Sequence, residues 1–163
     1  MFCEASLDGD FPLFWSLLTD NLRLCEAQLW VHANRSHPHV VGYDLEELAV
    51  ELAKPQSSHH LRPHFEEARM AMAAETLPRF VHEGRAGLAS HRRILSNGHE
   101  AVLLLDSSEI AVIPEGTLVT GSEVFHVLLF EPTDSGWLVA GHDYNPPKPG
   151  WPPSSGVPIE PAV

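Results

Sequence analysis

The apolar residues of this chain change their spacing part-way along, and that change decides the class of fold it can reach. Over residues 11–33, Phe11, Trp15, Leu18, Leu22, Cys25 and Leu29 recur at alternating steps of four and three. Such steps put side chains on one face of a helix. Thr19, Arg23 and Glu26 fall off that stripe. Asp10 is placed to cap this helix, and Pro12 suits its first turn, where a missing N–H does no harm. The helix ends by Ser36, because Pro38 disfavours helical geometry at His37. A second helix is expected over 45–54, with Asp44 as its cap and Glu47 completing a variant capping box. Leu45, Leu48 and Leu52 form its buried face, and Pro55 stops it. A third begins near His64, carries Phe65, Ala68 and Met72 along one side, and is kinked or ended by Pro78. Gly84 and Gly87 argue against an uninterrupted helix over 79–93, which leaves room there for a first strand.

From residue 101 the chain breaks into short β-rich runs, 101–106, 110–113, 123–131 and 137–144. Ser-Ser, Pro-Glu-Gly-Thr and Pro-Thr-Asp-Ser-Gly separate them, all of which is turn chemistry. Residues 118–120 add a fifth strand or extend the third. Strict alternation in the last run puts Trp137, Val139 and Gly141 on one side and Leu138, Ala140 and His142 on the other. Both sides are apolar up to His142, so this strand is expected to be covered on both faces for most of its length. Short turns suit antiparallel hairpins. Helices followed by an antiparallel sheet make an α+β domain, taken here as residues 1–145. Residues 146–163 hold seven of the fourteen prolines and form a Pro-rich tail. Two readings stand for it: a loosely packed extension, or a strap anchored by Trp151 and Ile159.

At 163 residues and 44% hydrophobic, the chain suits one ordinary domain with a buried core. Its net charge of −12 argues against a nucleic-acid backbone or an anionic membrane as partner. Cys3 and Cys25 are too few for a disulfide framework. The opening MFCEASLDGD is acidic, and no apolar run approaches the length of a membrane span. The expectation is therefore a soluble, cytoplasmic protein. The charge is unevenly placed: residues 94–163 carry one base, Lys148, against nine acids, a net of −8. Such a field steers a cationic partner.

Eleven histidines are available for chemistry, six of them between His32 and His64. His37, His39, His59, His60 and His64 are the candidates for a transition metal. No paired cysteines or HExxH motif accompany them, and Pro63 spoils the helical spacing of His60 and His64, so exposed loop histidines are the default. For acid–base work the candidates are His126 and His142, with Asp143 as a carboxylate partner. His126 shares a strand face with Val124, Leu128 and Phe130. No nucleophile elbow and no phosphate-cradling glycine loop occurs, so no cofactor is expected.

The closing run Asp134-Ser-Gly-Trp-Leu-Val-Ala-Gly-His142 resembles the end of an NTF2-like domain, whose last hairpin carries a polar turn, then Gly-Trp and an apolar strand. The resemblance covers at most residues 65–144. It implies a curved sheet wrapped around helices, a cone-shaped pocket and frequent dimerisation through the sheet. It also implies a choice among small-molecule enzymes, ligand binders, protein carriers and immunity proteins that neutralise toxins. The long N-terminal helical region and the Pro-rich tail depart from that pattern. The reading that follows is a non-enzymatic, acidic protein-binding module, such as an immunity-type inhibitor of a basic toxin. Glu123, Glu131, Asp134 and Trp137 are its binding residues, and a homodimer is the other assembly in view. The alternative is an NTF2-like small-molecule enzyme or ligand binder that uses His126 or His142 as acid or base.

Overall fold

A computed structural model describes residues 1–88, 93–95, 97–107, 125–134, 136–142 and 146–155. Six helices come first: α1 (Phe2–Asp8), α2 (Phe11–Ser16), α3 (Asp20–Ala33), α4 (Leu45–Ala53), α5 (Arg62–Thr76) and α6 (Arg79–His82). The strands follow as β1 (Ala86–Leu88), β2 (Arg93–Ile94), β3 (Glu100–Asp106), β4 (Phe125–Thr133) and β5 (Gly136–His142). A small hairpin of β6 (Pro147–Lys148) and β7 (Ser154–Ser155) completes the described elements. This is an α+β fold, helices first and an antiparallel sheet after. The expected strands over 110–113 and 118–120 lie outside the described residues.

The helix expected over 11–33 is two helices. Asp10 caps α2, accepting from the Leu13 N–H at 3.1 Å. The break comes at residues 17–19, because the edge of the sheet takes their backbone groups. Val139 N–H donates to the Leu17 carbonyl at 2.8 Å, and Thr19 N–H donates to the Val139 carbonyl at 2.9 Å. Thr19 then restarts the helix, its hydroxyl accepting from the Leu22 N–H at 3.2 Å. The restart rotates the buried stripe. Leu29 is 42% exposed, whereas Thr19 and Arg23, expected off the stripe, are buried. The acidic start of the chain forms the helix α1.

Asp44 caps α4 as expected, accepting from the Glu46 and Glu47 N–H groups. In α5 the inward positions are Arg62, Phe65, Arg69 and Ala73, and Met72 is 48% exposed. Spacing located the helix, but the inward stripe includes two arginines that a reading of apolar residues passes over. Pro78 ends this stretch, and α6 follows it.

The sheet runs in the order β1-β3-β4-β5, open and antiparallel, with β2 also pairing β3. Leu104 pairs with His126, and Leu128 pairs with both Val102 and His142. These directly opposed residues share a face. That face packs on helices: Leu104 and Leu128 cluster with Leu77, Phe80 and Val81, against Phe2 and Cys3 of α1. Val139 joins the main helical core of Phe11, Trp15, Leu48, Leu52 and Phe65. On the reverse face Leu95, Ala101, Val127, Leu129 and Ala140 form their own buried cluster. The last strand is therefore buried on both faces over residues 139–141, while its Trp137 end is exposed.

Strict alternation along β5 fails at one place. The register shifts between Leu129 and Phe130, so that Leu129 pairs with Gly141 and Phe130 with Val139, and Ala140 is the extra residue. A bulge of this kind reverses the in–out parity beyond it. Val139 and His142, expected on opposite faces, consequently face the helices together.

Of the two readings of the Pro-rich segment, the strap describes residues 147–155. Asn21 Nδ2 donates to the Pro147 carbonyl at 2.8 Å, Gly150 N–H donates to Gln28 Oε1 at 3.0 Å, and Trp151 packs against the main core. The segment lies along α3, whose Asn21 and Gln28 side chains satisfy two of its backbone groups. Ile159 lies outside the described residues.

Candidate functional site

Three sets of candidate residues can be followed into the fold. The first is the pair His126 and His142. Strand β4 carries His126 two residues before Leu128, the partner of His142, so the two rings are diagonal neighbours on the helix-facing side. His126 Nε2 lies 3.0 Å from His142 Nδ1, with ring centroids 5.2 Å apart. Phe2 of α1 stands 6.4 Å from the His142 ring, centroid to centroid. The bulge at Ala140 is what brings these imidazoles together. In their neutral forms one facing nitrogen must carry the proton and the other accept it. The arrangement can hold and relay one proton between two half-buried rings. Asp143 lies outside the described residues.

The second set is the binding group. Glu131, Asp134 and Trp137 all lie on the β4–β5 hairpin, and Glu123 lies outside the described residues. Trp137 pairs with Pro132 and Glu131 with Leu138, so Trp137 and Glu131 emerge on opposite faces. Asp134 is exposed in the turn, which Thr133 closes by donating from Oγ1 to the Gly136 carbonyl at 2.8 Å. Gly136 has φ +134°, a backbone angle that side-chain-bearing residues rarely adopt. Trp137 is 47% exposed, an unusual position for so large an apolar ring. Glu131 Oε2 stands 3.6 Å from His99 Nε2.

Not every acid of the sheet half is free to meet a partner. Asp106 is buried and bonded to Arg85, which Glu83 also holds at 2.6 Å. Glu100 is buried as well. Burial decides this, and charge counting along the sequence has no access to it.

The third set, the five metal candidates, divides into two groups. His37, His39 and His64 line one cavity, together with Trp30 and Asn34 at the end of α3. His59 and His60 lie with their tilted rings 4.6 Å apart beside Tyr43, and His59 lines a second cleft bordered by Glu47 and Glu51. Burial, aided by the neighbouring His60, holds His59 below the usual imidazole value. Among the described residues no group of three or more His, Cys, Asp or Glu side chains could hold a metal ion. The histidines crowd in sequence without converging on one point in space.

Sequence reasoning missed the buried arginines. Arg62 lies 4.8 Å from the Phe11 ring centroid, 5.5 Å from Trp15 and 5.7 Å from Phe65. It donates to the carbonyls of Leu52 and Lys54 at the end of α4, and to Glu66 at 2.7 Å. Arg23 closes the break before α3, donating to the Trp15 carbonyl at 3.2 Å and to that of Leu18 at 2.6 Å. Arg69 meets Glu26 at 2.9 Å between α3 and α5. These are packing roles, in which arginine satisfies carbonyls and covers rings.

Comparison with known proteins leaves the site to its own geometry: the chain matches no family model, no curated protein and no solved structure. No helix among the described residues is long and apolar enough to cross a membrane.

Proposed function

We propose that this protein is a non-enzymatic, acidic protein-binding module that offers its β4–β5 hairpin to a basic protein, as an immunity-type inhibitor does to a basic toxin. The observation that carries the reading is Trp137, a tryptophan left half in solvent beside Pro132 and close to the Asp134 turn. Tryptophan is the residue that most often anchors a protein interface, and acids around it steer a cationic partner. Cys3 and Cys25 are both free thiols, which is compatible with the cytoplasmic location we propose. Native mass spectrometry of protein purified at low salt from its own cells tests the reading. A stoichiometric basic partner that dissociates as salt is raised is expected. A partner whose binding ignores salt contradicts it.

The hydrogen-bonded His126–His142 pair favours a second reading, an NTF2-like small-molecule enzyme or ligand binder with a proton-handling pocket. A small-molecule mass retained by the native protein and lost on His126→Gln would move the weight to it.

A further inference from the structure

The hairpin reading leaves a cavity in the helical layer unused. This cavity, of about 430 Å³, opens where the end of α3, the loop after it and the start of α5 meet. That volume is within the range of small-molecule sites. Its apolar wall is Trp30, Val40 and Leu61. Trp30 is held from behind by Phe65, whose ring meets it edge-on at 5.8 Å. Its polar side is Asn34 with His37, His39 and His64.

Two features narrow what such a cavity takes. First, in a chain of net charge −12, none of the described residues lining it is a carboxylate. Imidazole and amide groups accommodate an anion that the rest of the surface repels, and solvent ions screen the more distant acids beyond about 8 Å. Second, the donors are preset. His37 Nδ1 accepts from the His39 N–H at 3.3 Å, which makes Nε2 the protonated nitrogen of the neutral ring. The Asn34 amide is oriented by its own donation to the Trp30 carbonyl at 2.8 Å.

We infer that this cavity binds a small planar aromatic carboxylate, of one or two rings, between the Trp30 wall and the histidines His37, His39 and His64. The inference is independent of the hairpin reading, since no residue is shared. Benzoate is the probe, with benzylamine as the same ring of opposite charge and inorganic phosphate as an anion without a ring. In titrations followed by NMR of the full chain, benzoate is expected to move the Trp30 indole and the histidine ring signals saturably, with a dissociation constant on the order of 1 mM. His39→Gln and His64→Gln alter exposed side chains and should each weaken benzoate roughly tenfold. The Trp137 indole serves as the signal that must not move. Equal binding of benzylamine, equal binding of phosphate, unsaturable shifts, or full affinity in both variants would overturn the assignment.

Discussion

His126 and His142 face one another nitrogen to nitrogen at 3.0 Å across the β4–β5 ladder, and they do so because Ala140 is the extra residue of a bulge. The contact needs one protonated and one bare nitrogen. At neutral pH, long-range ¹H–¹⁵N spectra should therefore show His126 Nε2 and His142 Nδ1 in opposite protonation states. Both bare, or both protonated, would contradict the contact. His142→Leu, which removes this partner from His126, should cost about 1–2 kcal/mol in denaturant unfolding.

Glu26 and Arg69 make a buried pair in which desolvation outweighs attraction. Burial pushes the Glu26 carboxyl above its ordinary value of 4.5, with Arg69 only partly opposing, and burial likewise lowers the Arg69 guanidinium. The folded chain thus holds the Glu26 proton more tightly than the unfolded chain. The stability this gives is present in full below 4.5 and is lost as pH rises through the raised folded value. Wild type should therefore lose stability relative to Glu26→Gln as pH rises from about 4 to about 7. A constant difference would refute this. Arg69→Met alone, which strands the carboxylate, should cost about 3–5 kcal/mol, whereas Glu26→Leu with Arg69→Met should be neutral or stabilising.

Arg62 ties the end of α4 to the aromatic core through its planar fork. Arg62→Met removes the donors from two carbonyls and should destabilise by about 2–4 kcal/mol in urea unfolding. Arg62→Lys keeps the charge but not the fork, and should recover only part of that loss. A lysine variant as stable as wild type would show that the fork and its stacking contribute nothing.

The two thiols should differ in reactivity. Cys25 is 1% exposed, and burial pushes its thiol up to about 11. Cys3 is only half-buried, and burial raises it too. Alkylation near neutral pH, read by peptide mass, should label Cys3 first and Cys25 only once denaturant is added. Prompt labelling of Cys25 in the folded protein would contradict the packing of α3.

How much of this was legible beforehand follows physical lines. The helix-to-strand change, the Asp10 and Asp44 caps and the places of β3, β4 and β5 are local, and residue spacing reports local structure well. The break at residues 17–19 was not legible, because the edge of β5 makes it from more than a hundred residues away. The same holds for Leu29, whose exposure follows from the restart at Thr19. Ala-Gly at 140–141 carries no sign of a bulge, so the shared face of Val139 and His142 was hidden, although both members of the histidine pair had been singled out. The histidines over residues 32–64 read by default as exposed loop residues, and which of them lie near one another, His37, His39 and His64 at one cavity and His59 and His60 beside Tyr43, is set by the loop path rather than by spacing. Glu131, Asp134 and Trp137 share one hairpin because they are neighbours along the chain, although Trp137 and Glu131 emerge on opposite faces of it.

Trp137→Ala tests the central claim most directly, compared with wild type by native mass spectrometry after gentle purification from the protein's own cells. Trp137 is half in solvent, so the variant should fold with stability within about 0.5 kcal/mol of wild type. The account predicts that wild type carries one basic protein in stoichiometric amount at low salt, and that the Ala variant emerges without it. A variant that keeps the partner, or a wild type that emerges bare or with only a small molecule, would contradict the hairpin as the binding face.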